Sequence, residues 1–109
     1  MKTKQPPSLR EQARTAATDI APLMEVKPNE IMSGNRGSWD TSDGRFVLYA
    51  ILRSRGYSPR AIGAALKRDR SAIEHGCRQL IMRRDVDKRF RRVLPALTEQ
   101  GYLFDWEAI

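Results

Sequence analysis

The stretch SPRAIGAALKRDRSAIEHGCRQL, Ser58 to Leu80, decides how this chain is read. Ser58-Pro59 is a strong helix start, a capping hydroxyl followed by proline at the first helical position, where its missing N–H costs nothing. Ala61, Ile62, Ala65 and Leu66 then share one side, which predicts a helix of about two turns. Lys67-Arg68-Asp69 makes a turn, and Asp69 stands where it can cap a second helix, from Arg70 to about Arg84. In that helix Ile73, Gly76, Cys77, Leu80 and Ile81 fall on the inner side, leaving Arg70, Ser71, Glu74, His75 and Arg78 on the exposed one. Two short helices joined by a tight turn, the second displaying polar side chains, suit a DNA major groove, which admits one helix. Helical hairpins are also common in proteins that never touch DNA, so the pattern needs support from the residues themselves.

Working outward, Arg45 to Arg55 carries Phe46, Val47, Tyr49, Ala50, Ile51 and Leu52 and ends at Gly56, the signature of a central core helix. The preceding SGNRGSWDTSDG, Ser33 to Gly44, holds three glycines and reads as a loop, with Thr41 or Ser42 as the next cap and Trp39 pinning the loop to the core. Pro28 suits the first turn of a short helix over Asn29 to Met32. From Leu9 the apolar positions Ala13, Ala16, Ala17, Ile20, Leu23 and Met24 recur at steps of three and four. Ser8 is placed to cap this segment and Pro22 to kink or split it. Downstream, a helix over about Val86 to Gln100 buries Phe90, Val93, Leu94 and Leu97, with a kink at Pro95 and a stop at Gly101. The closing YLFDWEAI is apolar and acidic, fit either to fold back on the core or to serve as a contact patch. The expected organisation is therefore a flexible arm over 1–8, one helical domain over 9–100 and a tail over 101–109. With no internal repeat and no alternating strand pattern, the class is all-α, a small helical bundle containing a helix-turn-helix.

The 109 residues allow one modest core, and the formal charge of +7 is unevenly spread. Between Lys67 and Arg92 ten Lys or Arg face Asp69, Glu74, Asp85 and Asp87, a surplus of six. Such a surface attracts a polyanion, with DNA, RNA and anionic lipid as the candidates. Cys77 is the only cysteine and His75 the only histidine, so neither an intrachain disulfide nor a Cys/His zinc cluster is expected. The N-terminus lacks the apolar stretch of a signal peptide, and no run approaches the roughly 18 apolar residues of a membrane span, which reads as a soluble, cytoplasmic protein without a membrane partner. No Gly-rich phosphate loop ending in Gly-Lys-Ser/Thr occurs, no nucleophile is arranged with His75, and neither a cofactor nor an enzymatic activity is expected.

The segment from Ser58 to Leu80 resembles the C-terminal domain, domain IV, of the bacterial replication initiator DnaA. In that signature a Ser-led helix containing Ile-Gly is followed by Arg-Asp-His-Thr-Thr-Val, then His-Ala-Cys and a basic residue. The matches here are Ser58, Ile62-Gly63, Arg68-Asp69, Ser71, Ile73, His75, Cys77 and Arg78. Without a gap the resemblance extends back through VKPNEIMS, Val26 to Ser33, to about Ile20, some 60 residues in all. It implies a stand-alone reader of double-stranded DNA in which Arg36 enters the minor groove from the loop. Asp69 and Ser71 would read base edges, the carboxylate accepting from cytosine N4 and the hydroxyl serving several bases. Arg70 stands where the family has a base-contacting histidine; arginine prefers guanine O6 and N7, so the preferred site is expected to differ. The loop loses the family's Arg and Pro residues, and Glu74 replaces an apolar residue, repelling phosphate unless it accepts from cytosine or pairs with Arg70 or Arg78. Lost phosphate contacts would be redistributed to Lys67, Arg68, Arg78, Arg83 and Arg84.

Each residue also has a structural reading. Asp69 can be a helix cap alone, the arginines a solvated face, His75 a phosphate or structural hydrogen-bond partner, and Cys77 a small core residue. The leading expectation is sequence-specific duplex binding in transcription regulation or replication control. The DNA-binding residues expected are Arg36, Lys67, Arg68, Asp69, Arg70, Ser71, Glu74, His75, Arg78 and Arg84. The alternative is a protein-interaction module that keeps the fold with weak DNA affinity and binds a protein partner, or itself, through the tail. RNA or single-strand binding calls for exposed aromatics on a sheet or groove, and the aromatic residues here fall mostly at core-like positions.

Overall fold

The computed structural model describes residues 6–34 and 37–109; the expected arm is thus described only from Pro6, and Arg36 lies outside the described residues. Six helices follow one another: α1 (Leu9–Met24), α2 (Pro28–Met32), α3 (Trp39–Ser54), α4 (Pro59–Leu66), α5 (Arg70–Arg83) and α6 (Lys88–Glu99). The described residues form a small all-α bundle without strands. Helix α3 is the hub. It packs between α1 and α5 and also touches α2 and α4, while α6 closes against α1.

Local chemistry sets most of the helix starts. Ser8, Ser38 and Ser58 each accept a backbone N–H three residues on, from Glu11, Thr41 and Ala61, and Asp87 accepts from Arg89 and Phe90 at the head of α6. At the other ends, Glu25 and Lys67 adopt left-handed conformations, with φ of 58° and 56°, that close α1 and α4. Pro22 does not split α1. It stands in the last turn, and the helix ends two residues later, so little ladder remains downstream to lose. Helix α6 likewise runs through Pro95.

The largest departure from the sequence reading is the start of α3. Residues 39–44 are helical, not loop, and the cap is Ser38 rather than Thr41 or Ser42. Tertiary contacts outweigh the poor propensity of Gly and short polar residues in this stretch. Gly44 lies so close to Ile31 that an added Cβ would stand 3.2 Å from its Cδ1. Asp43 is buried and receives two hydrogen bonds from Arg83, at 2.8 and 2.9 Å. Trp39, expected to pin a loop to the core, is 87 % exposed because it occupies the outward side of this added turn. Ile81 was also expected inside and is instead on the surface of α5.

The core takes Ala16, Ala17 and Ile20 from α1, Leu48, Ile51 and Leu52 from α3, Ile62 from α4, Ile73 and Leu80 from α5, and Phe90, Val93 and Leu97 from α6. Cys77 is buried as expected, and burial pushes its thiol up to about 11, so it is a packing group rather than a nucleophile. The tail folds back. Tyr102 is buried and donates to Asp19 at 2.5 Å, Arg53 donates to the Ala108 carbonyl at 2.7 Å, and the Asp105 N–H donates to Ser54 Oγ.

Arg83 clamps three elements, donating to Asp43 of α3 and to Asp87 at the head of α6. Burial pulls the Asp87 carboxyl up. Hydrogen bonds from Arg83 and from the Phe90 and Arg89 N–H groups outweigh it and hold the group below the usual carboxylate range. Its ionised form therefore stabilises the fold above about pH 4, the unfolded value, and that contribution is lost as pH falls through the lower folded value. In an acid titration followed by circular dichroism, Asp87→Asn should lower stability at pH 7 and show a shallower decline below about pH 4 than the wild type.

Candidate nucleic-acid interface

Helices α4 and α5 are separated by only Lys67, Arg68 and Asp69. The tightness of that connection depends on Gly63. A Cβ there would stand 2.5 Å from the Arg68 carbonyl oxygen, a backbone atom that no rotamer change can move. The Arg68 N–H bonds back to the Gly63 carbonyl at 2.8 Å, which fixes the turn while Lys67 adopts its left-handed conformation. Gly76 plays the matching role on the inner face of α5, where a Cβ would lie 2.7 Å from the rings of Phe46 and Tyr49. With no side chain at that position, α5 lies directly on α3.

The result is an open groove at the start of α5, walled by Gly63 and Ala64 of α4, by Lys67, Arg68 and Asp69 of the turn, and by Ser71, Ala72, His75 and Arg78 of α5. Six of the ten expected site residues line it together: Lys67, Arg68, Asp69, Ser71, His75 and Arg78. Asp69 occupies the N-cap position, yet its side chain makes no cap hydrogen bond, so the carboxylate faces the groove's solvent without a helix N–H to satisfy. Arg70 and Glu74 sit beside the groove and pair with each other across one helical turn, Nε to Oε1 at 3.7 Å. With Arg70 69 % exposed, that pair adds little to stability. His75 is exposed and meets Phe46 edge-on, with ring centroids 5.9 Å apart.

Arg84 is not brought to the groove. It lies past the far end of α5, its guanidinium 4.4 Å from the Trp106 ring centroid and its Nε 3.6 Å from Asp85. Arg83, expected among the phosphate contacts, is turned inward to Asp43 and Asp87, with Phe90 under its guanidinium at 4.8 Å.

Two arginines tie the chain ahead of Arg36 to this groove. Arg45, buried on α3, donates to the carbonyls of Glu30 at 2.8 Å, Ile31 at 3.2 Å and Ser33 at 2.8 Å. Arg68 also donates to the Ser33 carbonyl. These bonds satisfy the C-terminal carbonyls of α2, which the helix itself leaves open. Burial and the nearby charge of Arg68 lower the Arg45 pKa, while Tyr49 raises it. Arg10 of α1 adds a bond to the Ala65 carbonyl at 3.1 Å, bracing α4 from the other side. Sequence reasoning missed the role of Arg45. Its one visible signal is a charge among the apolar residues of a core helix.

No family model matches the chain, and neither a curated protein nor a solved structure does so.

Two substitutions test the backbone of the turn. Gly63→Ala should cost about 1–3 kcal/mol by overpacking, seen as a melting temperature lower by roughly 4–8 °C per kcal/mol lost. Lys67→Gly should do the opposite, raising stability by about 0.5–1 kcal/mol as left-handed strain is relieved. A Lys67→Gly chain that melts below the wild type would mean the lysine side chain itself supports the turn.

Proposed function

We propose that this chain is a sequence-specific binder of double-stranded DNA, a stand-alone reader resembling DnaA domain IV that acts in the cytoplasm in transcription regulation or replication control. The observation that carries the reading is the single open groove shared by Lys67, Arg68, Asp69, Ser71, His75 and Arg78 across two helices joined by three residues. Such a helix-turn-helix lays the start of its second helix in the major groove. Lys67 and Arg78 would hold backbone phosphates, which provide affinity without sequence information. Asp69 and Ser71, both exposed, would meet base edges, and Arg36 would follow the minor groove.

Glu74 then has a use. It faces Arg70 through Nε, leaving both terminal nitrogens of the guanidinium for guanine O6 and N7. An unpaired glutamate here would repel the duplex; beside Arg70 its charge is offset. Arg84, engaged with Trp106, is assigned to the tail rather than to phosphate.

A second reading, a protein-interaction module, is favoured by Met82, Val86 and Leu103, which are 71, 76 and 65 % exposed. Selection from a randomised duplex pool, with salt titration of the winner, separates the two. The DNA-reading hypothesis expects a defined site preferred by about a hundredfold or more over a shuffled control, with affinity falling steeply as salt rises. Arg70→Ala should cost about 1–3 kcal/mol on that site and relax one base position. A pool that shows no enrichment would overturn the DNA reading in favour of a protein partner.

A further inference from the structure

Around the head of α6 the basic residues divide into two sets. Arg83, Arg84 and Arg89 are each engaged, with Asp43 and Asp87, with Asp85 and Trp106, and with Asp40 respectively. Lys88, Arg91 and Arg92 are exposed and line a shallow depression of their own, and no ion pair reaches them among the described residues. At spacings of three and four residues they lie on one side of the helix, where like charges repel.

This cluster is separate from the reading groove. Helix α5 has 14 residues, about 20 Å at 1.5 Å per residue. The groove lies at its start, while α6 begins five residues past its end, held there by Arg83 to Asp87 and by Arg89 to Asp40. The exposed side of α5 between them carries Ile81 and Met82, so the cationic surface is interrupted by apolar side chains. A major groove is about 8.5 Å deep. With only the first turns of α5 inserted end-first, its far end would stand beyond the groove mouth.

We propose that Lys88, Arg91 and Arg92 form a second, sequence-independent site for the phosphate backbone of another DNA duplex, so that one molecule bridges two duplexes. The inference rests on the DNA-reading function above. The cluster's chemistry suits phosphodiesters: two planar guanidiniums and one ammonium on long stems, with an apolar gap separating them from the first site.

The test uses the whole chain, an immobilised duplex carrying the selected site and a second, fluorescent duplex, with single-duplex affinity measured in parallel. The wild type should capture the second duplex. The triple variant Lys88→Gln, Arg91→Gln, Arg92→Gln, with its fold checked by circular dichroism, should keep its single-duplex affinity within about twofold while capture falls about tenfold or more at about 0.1 M salt. The double variant Arg91→Gln, Arg92→Gln should fall between. Undiminished capture by the triple variant would overturn the proposal and point to bridging through paired protein molecules. Parallel loss of single-duplex affinity would also overturn it, placing the cluster on the duplex already bound. A wild type that binds one duplex and never captures a second defeats this inference alone; one that binds no duplex defeats the DNA-reading function with it.

Discussion

At Gly63 the missing side chain lets the Arg68 carbonyl of the turn settle against α4. Everything at the candidate interface is measured from that contact. It sets how tightly the turn closes and so how near Lys67 and Arg68 come to Ser71, His75 and Arg78. The local bonds that accompany it, from Arg68 N–H to the Gly63 carbonyl and from Ala61 N–H to Ser58, fix the hairpin internally. Gly76 extends the same principle to the next layer by bringing α5 directly onto the rings of α3. Two small residues thus define a rigid corner, and a rigid corner is what a site built from short side chains such as Asp69 and Ser71 requires.

Arginine is used in this fold as much for construction as for charge. Arg45 and Arg68 converge on the carbonyls that end α2, Arg53 holds the tail by its Ala108 carbonyl, and Arg83 joins α3 to the head of α6. A planar guanidinium with five donors can serve several carbonyls at once, which an ammonium cannot do in the same fixed geometry. Net charge therefore overstates the cationic surface open to a partner. Among the described residues, the exposed cations include Lys67, Arg70 and Arg78 beside the groove and Lys88, Arg91 and Arg92 on α6, with Arg10, Arg14, Lys27, Arg55 and Arg60 spread over the rest of the surface.

These two uses of arginine mark the boundary of what was legible in the sequence. The signals that are local in the chain were readable: Ser58-Pro59, the Lys67 to Asp69 turn, the inner row of Ile73, Cys77 and Leu80, and the burial of Phe90, Val93 and Leu97. The six groove residues followed because they sit on two adjacent elements. The start of α3 was not readable by composition, because Gly44 and Asp43 are tolerated there only through Ile31 and Arg83, 13 and 40 residues away in the chain. A row of Thr41, Gly44, Leu48 and Ile51 does keep helical spacing, but the glycine and threonine obscure it as an apolar pattern. Arg83 and Arg84 are neighbours in sequence and look interchangeable. Only the fold turns one toward Asp43 and the other toward Trp106.

The bond between Tyr102 and Asp19 joins positions 83 residues apart, while α4 and α5 meet across a three-residue turn. Such different loop lengths imply different places in the order of assembly, since distant pairings bear a closure entropy that neighbouring ones escape. Loop-closure entropy thus favours forming the hairpin while the ends of the chain are still apart, ahead of the clasp of α1 with α6 and the tail. In reverse, a partial opening that frees α6 and the tail leaves α4, α5 and their shared groove still packed on α3. Opening at the terminus would thereby leave the candidate interface intact.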